Sequence, residues 1–115
     1  MHFQVRTDNH IQNSEALSDG LRSEVESALF PKFEGRIRRV EIYFQDMNSH
    51  KRGTDIRCAI EVNLAGHQPI AVSDSASSLD AAASGAIDKL TKTLDRTIGR
   101  IEDRQGRVSQ SGEPT

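Results

Sequence analysis

The stretch TDIRCAIEVNL sets Ile56, Cys58, Ile60, Val62 and Leu64 at five consecutive even positions, with Asp55, Arg57, Glu61 and Asn63 among the odd ones. Side chains alternate across a β-strand, so this segment has one apolar face and one polar face. It suits neither a helix nor a strand buried on both sides. The chain must therefore build a sheet with one wet face, and apolar elements must cover the other. RRVEIYFQD repeats the pattern, with Val40, Ile42 and Phe44 inward and Glu41, Tyr43 and Gln45 outward. HFQVRT opposes Phe3 and Val5 to Gln4 and Arg6, which reads as a short half-buried strand. QPIAVS reads as a fourth, shorter strand, and Pro69 places it at an edge or at its own beginning. MNSHKRGT is a polar hairpin loop and AGH a short turn.

Two helical patterns supply the cover. After Ser14, residues Leu17, Leu21, Val25, Ala28 and Leu29 recur at helical spacing. The Ser14 hydroxyl can accept an orphan backbone N–H as the N-cap, and Glu15 suits the positive end of the dipole. Gly20 weakens this helix by about 1 kcal/mol relative to alanine. Pro31 disfavours helical geometry at Phe30, so the helix should end there. A second helix begins near SSLDAAA, with Ser77 and Asp80 spaced as a capping box. Its apolar face is Leu79, Ala83, Ala86, Ile87, Leu90, Leu94, Ile98 and Ile101. EDRQGRVSQSGEPT is polar and aperiodic, so the reading is a domain over residues 1–104 and a disordered tail over 105–115. The order is β-α-β-β-β-α. The expected fold is α+β, a four-stranded antiparallel or mixed sheet with two helices packed on one face.

Several functions are disfavoured. At 115 residues the chain is one domain by length, burying about two thirds of its unfolded surface. No apolar run approaches the ~18 residues of a membrane span. MHFQVRTDNH lacks a basic region followed by an apolar one, so no secretory signal is expected and the reading is cytoplasmic, with no membrane partner. Cys58 is the sole cysteine, in the inward register, and reads as a small core hydrophobe rather than a nucleophile. The histidines at 2, 10, 50 and 67 show no metal-ligand spacing. No phosphate loop, nucleophile elbow or zinc-protease motif occurs. The expectation is a protein that is not an enzyme and has no metal, no cofactor and no small-molecule substrate.

The cations are the remaining signal. DKLTKTLDRTIGRIEDR, residues 88–104, holds five cations and four acids. At about 100° per residue, Lys92, Arg96, Arg100 and Arg104 fall within roughly 60° of Lys89. Leu90, Leu94, Ile98 and Ile101 gather about 100–180° away. Asp88, Asp95 and Glu102 are read on the far side, leaving only Asp103 intruding near Arg96. More cations cluster in Arg36, Arg38 and Arg39 and in Lys51 and Arg52. Such a stripe is either a solvated face or a track for phosphates. Tyr43 is the only plausible base-stacker, which favours contact with the shape and backbone of structured RNA over stacking on single strands.

Here a resemblance enters. The element order, the NHIQNSEAL lead into the first helix, and AAASGAIDKLTKTLDR in the second resemble the ribosome hibernation-promoting factor and ribosome-associated inhibitor family. Ala82, Ala83, Ala86, Ile87, Asp88, Lys89, Leu90 and Leu94 stand at the places of its second-helix motif. The resemblance spans residues 1 to about 104 and implies a short form. It implies a translation inhibitor that occupies the messenger and transfer RNA channel of the small ribosomal subunit in starved or stationary cells, contacting ribosomal RNA. By position, the RNA-binding residues would be Lys89, Lys92, Arg96 and Arg100. Where the family carries lysines towards the end of the first helix, this chain has Glu24 and Glu26, and only Arg22, Lys32 and Arg36 add to the set. The chain would be a monomer in solution. The alternative is a divergent member acting as a protein-interaction module without ribosome binding, its acidic first helix recruiting a basic partner. A double-stranded RNA binder unrelated to ribosomes is a third reading.

Overall fold

The computed structural model describes residues 1–8, 11, 14–30, 32–33, 35–47 and 55–111, with side chains as far as Ile101. The elements are β1 (His2–Thr7), α1 (Glu15–Leu29), β2 (Ile37–Asp46), β3 (Ile56–Leu64), β4 (Ile70–Ala76) and α2 (Leu79–Ser111). This is the expected β-α-β-β-β-α order. The sheet runs β1-β2-β3-β4, with β1 parallel to β2 and the other pairs antiparallel. Parallel neighbours need a crossover, and α1 supplies it between β1 and β2.

The alternating patterns become the core. Ile56, Cys58, Ile60, Val62 and Leu64 are all buried, as are Val40, Ile42 and Phe44. Both helices pack over this face. Leu21, Val25 and Leu29 seat α1, while Ala82, Ala83, Ala86, Ile87, Leu90, Leu94 and Ile98 seat α2. The alanines let the start of α2 lie close to the sheet. One parity fails usefully: a register shift between Ile37 and Arg39 on β2 leaves Arg38 exposed, with Ile37 buried in its place. A bulge of this kind re-aims the side chains on either side of it.

The ends of the helices follow local chemistry. Ser14 Oγ accepts the Leu17 N–H at 3.1 Å. Phe30 closes α1 in an extended conformation, φ −102° and ψ 150°, as the residue before a proline favours. The cap of α2 is a correction. Ser78, not Ser77, accepts from a backbone amide, that of Ala81 at 3.1 Å. Moving the cap by one residue puts Ala81, not Asp80, at the position a capping box requires. Asp80 still places a carboxylate in the first turn. β4 runs through Ala76, three residues beyond the expected stretch, because it pairs with β3 as far as Ile56. It lies at the sheet edge, directly after Pro69.

α2 is helical to Ser111, past the Arg104 boundary expected from its polar composition. Ending the chain after Arg104 is expected to leave the melting temperature and the solubility of the folded protein unchanged, because residues 105–115 offer no apolar stripe to bury. A drop in either would show that this end of the chain docks.

Cys58 sits mid-strand on β3, fully buried and reduced. Burial, reinforced by the charge of Asp74, pushes its thiol up to about 12. It carries no thiolate at neutral pH, so reagents should label it only after unfolding. Cys58→Ser is expected to lower stability by about 1–3 kcal/mol, since a hydroxyl would be buried without a ready partner. Rapid labelling of the folded protein would contradict this.

Candidate nucleic-acid interface

α2 crosses the sheet along β3 and β4, so one of its flanks meets the open edge of the sheet. There Val72 and Ser73 of β4 and Lys89, Lys92, Thr93 and Arg96 of α2 line a groove of about 340 Å³. Apolar positions on the opposite side of α2 hold this flank outward, because Leu90 and Leu94 are fully buried. Arg100 is exposed, one helical turn beyond Arg96. Among the described residues, Arg96 and Arg100 form no ion pair.

The other cations of the row are partnered. Lys89 Nζ donates to Ser73 O at 3.0 Å and lies 3.2 Å from Asp74 Oδ1. Lys92 Nζ lies 3.1 Å from Asp88 Oδ2, four residues earlier. The expected sorting by sign is therefore corrected. Asp88 does not stand apart from the stripe, because an acid four residues before a lysine lies only about 40° from it around the helix. The Lys92–Asp88 pair is about two-thirds exposed on both sides, so it contributes only about 0–1 kcal/mol and yields readily to a competing anion, whereas Lys89 is held by two groups of β4 at once, one of them the less exposed Asp74.

The remaining expected residues do not join the groove. Arg22 is exposed on α1 and pairs with Glu26 at 3.1 Å. Lys32 pairs with Asp95 of α2 at 2.6 Å and stands 5.6 Å from the Phe33 ring centroid. Arg36 borders a separate cavity of about 470 Å³ with Gly35, Leu64, Ala65, Gly66, His67, Ile98 and Ile101. Gly35 and Gly66, with φ of 88° and 72°, make the tight turns at its rim. Tyr43 is exposed on the open face of the sheet, away from the groove. Lys51, Arg52, His10, His50 and the side chain of Arg104 lie outside the described residues.

The α1 side of the molecule differs in sign. Glu15, Asp19 and Glu24 are exposed, and Glu24 accepts from Ser84 Oγ of α2 at 3.3 Å. No group of metal-ligating side chains occurs among the described residues, and none of their helices is long and apolar enough to cross a membrane. Sequence reasoning passed over Ser73, Asp74, Gly85 and Thr93. A glycine amid the strong helix formers of AAASGAIDKL was the available signal, since such a glycine often marks a close approach.

Fold and groove together define a β-α-β-β-β-α domain that presents cations along one edge of its sheet. Residues 5–102 match the family described as sigma 54 modulation protein / S30EA ribosomal protein, and the chain belongs to that family. The resemblance carried by the second-helix motif is thereby borne out. The N-terminal domain of Protein Y from Thermus thermophilus superposes with a TM-score of 0.68 at 17% identity, over 84% of this chain and 99% of that one. A ribosomal subunit interface protein from Coxiella burnetii gives 0.69 at 18% identity, over 86% and 99%. At these identities the two structures establish a shared fold. No curated protein matches the chain by sequence.

Proposed function

We propose that this protein is a cytoplasmic, non-enzymatic translation inhibitor that binds the small ribosomal subunit and occupies its messenger and transfer RNA channel under stress. Membership of a family described by a ribosomal protein supports the partner. The observation that carries the reading is the flank of α2, where Lys92, Arg96 and Arg100 follow one another at roughly 6 Å intervals along the axis. That is close to the spacing of phosphates along a nucleic-acid strand. Such a row gives affinity through displaced counterions, without reading sequence. Arg36, Lys32 and Arg22 would be peripheral contacts, since two of them are tied to acids.

Cosedimentation with ribosomes across a salt series tests it. Binding that falls linearly on log–log axes supports the reading, and absence from the ribosome pellet at low salt overturns it. A protein-interaction module without ribosome binding is the second reading, favoured by the exposed acids of α1. It forecasts pelleting with a basic protein partner and none with ribosomes.

A further inference from the structure

The edge strand places an acid at the cationic groove. Asp74 occupies the inward register of β4, opposite Cys58, where Ile70, Val72 and Ala76 are its apolar companions. Its side chain is 31% exposed, and its Oδ1 lies 3.2 Å from Lys89 Nζ. The same ammonium donates to Ser73 O at 3.0 Å. Two of its three N–H donors are thus engaged by β4.

Gly85 makes the arrangement possible. It lies one turn before Lys89 on the same face of α2, and a Cβ there would collide with the Asp74 carboxylate, at both Oδ2 and Cγ. Glycine weakens a helix interior relative to alanine, yet the neighbours at 81, 82, 83 and 86 are all alanine. The seat for Asp74 accounts for the exception. An anion that approaches Lys89 must approach this carboxylate as well, and the repulsion offsets much of the attraction.

We propose that Asp74 is a positioning residue of the groove: it withholds Lys89 from polyanions and leaves Lys92, Arg96 and Arg100 to carry the phosphate contacts. The inference rests on the RNA-facing reading of this flank and adds to it a device for selectivity. With Lys89 neutralised at one end of the row, tight binding requires a partner whose phosphates match Arg96, Arg100 and a Lys92 that gives up its exposed contact with Asp88. Bulk charge alone does not suffice.

The test measures the log–log salt slope for an RNA duplex of arbitrary sequence, with melting temperature and ribosome pelleting measured on the same proteins. Lys89→Met in the parent should leave the slope unchanged. Asp74→Asn should steepen it by up to about 0.7–0.9, the share of one freed cation, and tighten duplex binding several-fold at moderate salt. Adding Lys89→Met to Asp74→Asn should cancel that gain. Gly85→Ala, which displaces the carboxylate without removing its charge from the chain, should shift the slope in the same direction. A merely structural pair would move the melting temperature and not the slope. The inference is overturned if Lys89→Met flattens the parent's slope as Lys92→Met does, or if Asp74→Asn leaves the slope as it was. A steeper slope in Asp74→Asn, with no ribosome pelleting by the parent, would uphold Asp74 and overturn the ribosomal reading. An unchanged slope, with pelleting by the parent, would do the reverse.

Discussion

Reversing Lys92 and Arg96 to glutamate is expected to abolish ribosome pelleting at moderate salt while the protein stays folded. Each cation facing a phosphate displaces condensed counterions, so each one lost should lower the log–log salt slope by up to about 0.7–0.9. Reversal goes further than removal, because the new carboxylates repel the phosphates the cations attracted. Folding should change by only about 0.5 kcal/mol, as both side chains are exposed and only the Lys92–Asp88 pair is forfeited. Asp95→Lys provides the control. That residue pairs with Lys32, away from the groove, so its reversal should do little to ribosome binding or slightly help it. If the row is no more than a solvated face, all three proteins will bind alike at two salt concentrations, and the RNA-facing role of α2 is lost.

Leu94→Ala should have the largest effect on stability. Leu94 is fully buried on the face of α2 opposite the cations, in contact with the core that Leu90 and Ile98 extend. Truncating such a leucine removes about 2–5 kcal/mol, through lost transfer free energy and the cavity left behind. Domains of this kind hold about 5–15 kcal/mol in all. The melting temperature should fall by on the order of 10–30 °C, with ribosome affinity reduced only in proportion to the unfolded fraction. A loss under about 1 kcal/mol would mean that α2 is not held to the sheet by this stripe. The pair of predictions separates the two faces of one helix: the cations should govern binding without stability, and the leucine stability without binding.

Much of the architecture was legible because its causes are local. Alternation in HFQVRT, RRVEIYFQD and TDIRCAIEVNL depends only on side chains pointing to opposite sides of a strand. The helical stripes depend only on the 3.6-residue turn. Ser14 caps α1 with its own hydroxyl, and Phe30 ends it because a proline follows. The cationic flank of α2 is a property of one helix and could be drawn on a wheel. The i,i+4 spacing of Asp88 and Lys92 was equally local, and measuring every angle from Lys89 passed over it.

Tertiary structure decided what depends on distant neighbours. The parallel pairing of β1 with β2, and the bulge that turns Arg38 outward, depend on how strands register against one another. Lys32 meets Asp95 only because the segment after α1 packs beside α2. Lys89 meets Asp74 only because β4 forms the sheet edge beneath α2 and Gly85 leaves space for a carboxylate. Charge on a wheel knows nothing of the strand beside it. Which faces are apolar and where cations are concentrated could be read from the residues alone, because each follows from the period of a single element. Only the fold decided the pairs that join separate segments, Lys89 with Asp74 and Lys32 with Asp95, because such a salt bridge is made by whichever chain segment packing brings within about 4 Å.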